Sequence, residues 1–158
     1  MLSAAQRLDS NFNVVQSYLP FRAKKTITFA GGTANAIGDH DGTGDPFTIF
    51  TVTGDILCDV FGVVKTTLVG AGTLEVGVTD ATAAILAQVA DATTLAVNEF
   101  WAADATASLA EGFTPTFHGI GGGLDIIGTV GADNITAGVI DFYCNWDAVS
   151  DDANVVGD

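Results

Sequence analysis

The chain has 158 residues, 48% apolar and 15% charged, which is enough to bury the core of one domain and too apolar for a disordered chain. Nineteen acids against five Lys and Arg give a net charge of −14, so the body is expected to repel nucleic-acid phosphates and anionic membranes. No stretch approaches the roughly 20 apolar residues that span a bilayer, and the first residues lack the apolar core of a signal peptide.

Residues 1–23 read as an N-terminal docking arm. Glycine is absent there, and Leu8, Phe12, Val15 and Leu19 recur at spacings of 4, 3 and 4, a helix-like stripe that Pro20 ends. Residues 1–25 hold Arg7, Arg22, Lys24 and Lys25 against Asp9, a charge of 4 − 1 = +3, while the remainder sums to 1 − 18 = −17. The arm is expected to form one or two turns of helix, or an extended tail that orders on contact. Arg7, Arg22, Lys24 and Lys25 would meet acidic groups on a partner, and Leu8, Phe12, Val15 and Leu19 would supply apolar burial.

Residues 24–150 read as a β-sandwich or jelly-roll-like body of about eight to ten strands. "KTITFA" alternates into a first strand, and "FTIFTVT" and "DILCDVFGVV" are strands joined at Gly54-Asp55. Both carry apolar residues on each face, which predicts that each face is covered and that the chain self-associates. "VGAG" reads as a hairpin turn, followed by the alternating strand "TLEVGVT". Alanine dominates Asp80–Ala110 and by propensity says helix, yet threonine interrupts it. Two short strands, in "AAILAQV" and "NEFW", are the favoured reading. "FTPTFHGI" and "LDIIGTV" follow. In "AGVIDFYCNWDAV", Ile140, Phe142, Cys144 and Trp146 face one way, and Asp141, Tyr143, Asn145 and Asp147 the other. Residues 151–158 read as a flexible acidic tail.

"GDHDGTGDP", Gly38–Pro46, raises the question of a metal. Counted from Asp39 as a calcium loop, positions 1 and 3 are Asp39 and Asp41, but position 12 is Phe50 where a bidentate Glu is needed. A solvated turn is therefore favoured and no metal is expected; Asp39, Asp41 and Asp45 remain as weak candidates for a looser cage. "GIGGGLD" lacks the third glycine of a dinucleotide fingerprint, and a strand follows it where a helix is required. No G-x-S-x-G is present, and His40 and His118 have no partner in sequence, so no catalytic residue, no enzyme activity and no cofactor are expected. Cys58 and Cys144 are expected to be buried free thiols. Asn134-Ile135-Thr136 matches a glycosylation sequon but reads as a turn. Phe100, Trp101 and Tyr143 could form a sugar-stacking platform, although rings in strands more often pack in the core or at a subunit interface.

Taken together, "KTITFAGGTANAIGDHDGTGDPFTIFTVTGDI", "LEVGVTD", "NEFW" and "ITAGVIDFYCNW" resemble small β-rich virion proteins of tailed phages, of the capsid decoration (cement) or head-fibre type. The resemblance implies a jelly roll or related sandwich, frequent homotrimers, a place on the capsid surface of the virion after synthesis in the host cytoplasm, and the major capsid protein as partner. It carries no catalytic residues, and neither nucleic acid nor membrane is an expected partner. Two other readings remain open: a receptor- or carbohydrate-binding adhesin of the head or tail, and a tail-tube or connector subunit.

Overall fold

The computed structural model describes residues 6–8, 14–16, 21–103 and 114–157. In chain order the strands are β1 (Gln6–Leu8), β2 (Val14–Gln16), β3 (Phe21–Thr28), β4 (Phe47–Thr53), β5 (Ile56–Val69) and β6 (Thr73–Val78). They continue with β7 (Ala81–Val89), β8 (Phe100–Trp101), β9 (His118–Ile120), β10 (Ile126–Gly131), β11 (Ala137–Ala148) and β12 (Asn154–Val156). One 3-10 turn, Ala92–Thr94, is capped by Asp91, and no α-helix occurs among the described residues.

Two five-stranded antiparallel sheets enclose a single core, so the all-β sandwich read from the sequence is the architecture. One sheet runs β12-β4-β10-β6-β7 and the other β3-β11-β5-β8, with β9 on the same edge of β5 as β8. The longest pairing joins β5 to β11, from Ile56 against Ala148 to Val69 against Ala137. Alternation decides which side chains go inward. Ile56, Cys58, Val60 and Val64 of β5 and Ile140, Phe142, Cys144 and Trp146 of β11 are buried, while Phe61, Val63, Tyr143 and Asn145 are half-buried on the outer face. Ile49, Phe50 and Val52 of β4, Leu74 and Val76 of β6, and Ile126 and Val130 of β10 close the core from the opposite sheet.

Cys58 and Cys144 are free and fully buried. They sit on neighbouring strands of one sheet, not across the sandwich, since Cys58 is opposite Trp146 and Cys144 opposite Val60. The Cys58 thiol beside it, together with burial, pushes the Cys144 thiol far up, so Cys144 stays protonated.

Three boundaries differ from the sequence reading. Arg22, Lys24 and Lys25 lie within β3, which pairs along β11, so they belong to the body and residues 1–20 keep only Arg7 against Asp9. Of the helix or extended tail expected from the Leu8–Leu19 stripe, the described residues are extended, Gln6–Leu8 pairing antiparallel with Val14–Gln16. Leu8 and Val14 are opposite each other there, a period of two and not of 3.6. The tail expected to be flexible contains β12, whose Asn154–Val156 pair with Thr53–Thr51.

Within Asp80–Ala110, the described residues are strand at Ala81–Val89 and Phe100–Trp101 despite the alanine content. β7 follows β6 through a two-residue turn, Thr79-Asp80, because Val78 pairs with Ala81. Gly77 is needed at that turn, where a Cβ would run into the Ala81 carbonyl.

Phe142 is fully buried and meets Trp101 edge-on at 6.1 Å between ring centroids. Phe142→Ala is expected to cost about 3–5 kcal/mol. Urea titration should show a lower midpoint with an unchanged slope.

Candidate functional site: a cationic and aromatic sheet face

The outer face of β3-β11-β5-β8 is built by the positions that alternation turns away from the core. The register sets Lys24 opposite Tyr143 and Tyr143 opposite Phe61. Phe100 on β8 is opposite Val63, one step further along β5. The rings form a row. Phe61 and Tyr143 stack at 5.3 Å and 17°, and Phe61 meets Phe100 at 6.2 Å and 50°. Arg22 Cζ and Lys24 Nζ lie over the Tyr143 ring at 5.9 and 5.6 Å from its centroid. Trp101 is fully buried in the core. The sugar platform considered for Phe100, Trp101 and Tyr143 together is therefore not assembled, because stacking a pyranose needs an open ring face.

Charges on this face are sorted by depth. Asp141 and Asp59 are 7% and 4% exposed, whereas the Lys24 side chain is 48% exposed. Lys24 Nζ is 2.8 Å from Asp141 Oδ2, and the Thr26 hydroxyl donates to Asp141 Oδ1 at 2.6 Å. Burial pushes the Asp141 carboxyl up, but the Lys24 ammonium and the Thr26 hydroxyl outweigh it, with Lys65 adding its charge, and hold the pKa below the usual carboxylate value. The bond to Asp141 in turn raises Lys24. Arg22 Nε donates to Asn145 Oδ1 at 2.7 Å. The face thus offers Arg22, Lys24 and Lys65 outward and keeps Asp59 and Asp141 below them, while Asp147 is exposed near the end of β11.

Asp59 lies between two strand pairings on one edge of β5, with β9 on Ile56–Cys58 and β8 on Gly62–Val63. The Asp59 carboxylate accepts from Thr116 N at 3.2 Å. Burial raises Asp59, offset by Thr116, Asn145 and the nearby His118. His118 is half-buried with Nε2 unpartnered; burial lowers its pKa, and the Asp59 charge pulls the other way.

The acidic loop, residues 30–46, is a coil of successive turns. Thr33, Ala36, Asp39, Gly42 and Asp45 each donate from backbone N to the carbonyl three residues earlier, at 2.9–3.2 Å. Gly38, at φ 103°, and Gly44 sit where a Cβ would collide with the carbonyls of Ile135 and Ala36. Asn134 locks the coil to the β10–β11 connection. Its Nδ2 donates to Gly31 O at 2.8 Å, which turns Oδ1 toward His40, where it accepts from the backbone N and from Nδ1. Asn134 therefore acts as a structural turn residue, as the sequence suggested for its sequon. Asn134 and the charges of Asp41, Asp133 and Asp39 raise the His40 pKa.

Of the weak metal candidates, Asp39 and Asp41 lie together with His40, their ligand atoms within 4.8 Å of one another. Asp45 is not with them: its Oδ1 accepts from Val130 N at 2.6 Å and ties the loop to β10. Asp39 Oδ2 is already committed to Asn35 N at 2.7 Å. The group is an Asx-rich turn that also gathers two carboxylates and an imidazole.

The candidate docking residues scatter. Arg22 and Lys24 join the outer face, a site whose Phe61, Asp59 and Lys65 partners the sequence reading did not single out. Lys25 points to the other side, along a shallow groove with Thr48, Ile49, Thr51 and Val156. Arg7, Leu8 and Val15 lie in the β1–β2 ribbon, whereas Phe12 and Leu19 fall outside the described residues. No helix among the described residues is long and apolar enough to cross a membrane. Comparison with protein-family models, with curated proteins and with solved structures found no match.

His118 gives the site a pH signature. Its unfolded form takes up a proton near the ordinary 6.5, while the folded form resists, so its contribution to stability is present above pH 6.5 and falls as the pH drops toward the lowered folded value. His40, raised when folded, works in the opposite sense above pH 6.5. In His118→Gln, denaturant melts between about pH 6.5 and 5 should lose part of the acid decline seen in the parent chain. An unchanged decline would show that other groups cause it.

Proposed function

We propose that this chain is a structural virion protein of a tailed phage that decorates the outer capsid surface, and that it docks through the face of Arg22, Lys24, Lys65, Phe61 and Tyr143. The phage assignment rests on the resemblance of the sequence; the docking mode rests on one structural observation. A protein of net charge −14 gathers three of its five cations on one sheet face, beside ring edges, with Asp59 and Asp141 buried beneath and Asp147 exposed at the end of β11. Such a face fits an acidic protein surface. Exposed charge pairs contribute only about 0–1 kcal/mol each, so ring edges and aliphatic surface would supply most of the affinity and the cations would orient the encounter. The major capsid protein is the partner in this reading, with further copies of the chain around it.

The test uses the full chain and DNA-free capsids of the virus that encodes it. Tyr143→Ala and Lys24→Glu should each weaken co-sedimentation by about tenfold or more with circular dichroism unchanged, a loss of about 1.4 kcal/mol or more. Unchanged binding of both variants removes this face from the docking surface. Binding of the parent chain to host cells and not to capsids would replace decoration by adhesion.

A further inference from the structure

We propose that the outer edge of β7 is a strand-addition site for the N-terminal ribbon of a second copy of this chain. The inference concerns self-assembly and does not rest on the capsid reading. β7 ends its sheet, and among the described residues no strand pairs with its outer side. It is nine residues long and contains no Lys, Arg, Asp, Glu or Pro. Those residues are the usual means of keeping a sheet edge from recruiting another strand, and the only irregularities are two register shifts on the side facing β6.

The occupant is indicated by the ribbon. β1 and β2 pair with each other over three residues apiece and join neither body sheet. A two-stranded ribbon of that size is not stable alone in water and gains most by adding to a larger sheet. Val14-Val15-Gln16 combines β-branched residues with no charge. Arg7 and Asp9 cancel within residues 1–20, so ribbon and edge meet where copies of net charge −14 repel least.

Chain length makes the donor a second copy. Five Cα-to-Cα steps from Gln16 to Phe21 reach at most about 18 Å, whatever path residues 17–20 take. β3, which Phe21 begins, contacts β4 and β12. From β4 to the position beyond β7 is four strand spacings in the order β4-β10-β6-β7, about 19 Å, which exceeds that reach before any offset between the sheets is included. A chain's own ribbon falls short of its own β7, while a neighbour's faces no such limit.

The experiment mixes two full-length variants, Val15→Cys and a size-tagged Ala84→Cys, under mild oxidation; the native Cys58 and Cys144 are fully buried and do not compete. Non-reducing electrophoresis should show a mixed dimer. Val15→Pro, placed outside the body, should lower the mass of the parent assembly in light scattering. A mixed dimer together with that loss supports strand addition between copies. Absence of the mixed dimer, a bond formed only within a chain carrying both cysteines, or a parent chain that is monomeric at high micromolar concentration would each overturn it.

Discussion

The pairing of β5 with β11 runs from Ile56 against Ala148 to Val69 against Ala137, and both faces of the molecule follow from its register. Inward, it lays Cys58, Val60 and Val64 beside Ile140, Phe142 and Cys144. Outward, it lays Phe61 beside Tyr143 and keeps Asp59 and Asp141 under the surface. A slip of one residue would exchange the two sets and place both carboxylates in the core. The departures from regular pairing, between Ala137 and Ile140, are confined to one end and leave this central stretch intact. β3 reads its register from β11, and β8 and β9 read theirs from β5, so the cationic row and the position of Asp59 inherit the same constraint.

Charge is distributed so that the face can exist in so acidic a protein. Asp141 lies beneath the surface with Lys24 and Thr26 directly on it, which meets the cost of burying a carboxylate with a hydrogen-bonded ion pair. Burial moves the Asp59 pKa upward, and the bonds from Thr116 N and Asn145 and the charge of His118 offset only part of it. The same face thus contains one acid shifted below its ordinary value and one shifted above it, because a hydrogen-bonded ammonium outweighs burial at Asp141 and burial prevails at Asp59. Acidification neutralises Asp59 first, loosening the anchor of Thr116 before the Lys24–Asp141 pair is affected.

Strand content was legible wherever alternation was clean, as in Ile140–Asp147, and in β7 and β8, where threonine breaks and the aromatic pair outweighed alanine's helical propensity. Boundaries set by long-range pairing were not. Nothing local in "FRAKKT" says that β11 will take it as a partner, so a run of cations read as the end of an arm. Nothing local in "DDANVV" reveals that β4 has an open edge waiting for it. The Leu8–Leu19 spacing rested on four residues, a sample too small to separate a period of 3.6 from two short paired strands. The Asp/Gly loop is built of the turns its glycines and aspartates suggested, although Asp39 is buried and not solvated. Its fivefold succession of turns depends on Asn134, nearly a hundred residues away in the chain.

Mounting Arg22 and Lys24 on a strand, and not on a tail, changes what recognition costs. A tail must be ordered when it binds, at roughly 1–2 kcal/mol of backbone entropy per residue fixed. β3 is already fixed by eight paired residues, and Arg22 is further held by Asn145. Tyr143 stands between Phe61 and the two cations, so its orientation is also set before any partner arrives. A surface prepared in this way gives up little freedom on contact, and its ring edges can contribute most of the apolar area they bury. The two sites proposed here therefore differ in kind: a rigid face that recognises through side chains, and a sheet edge that recognises through backbone and depends on a ribbon whose own folding is incomplete until it finds one.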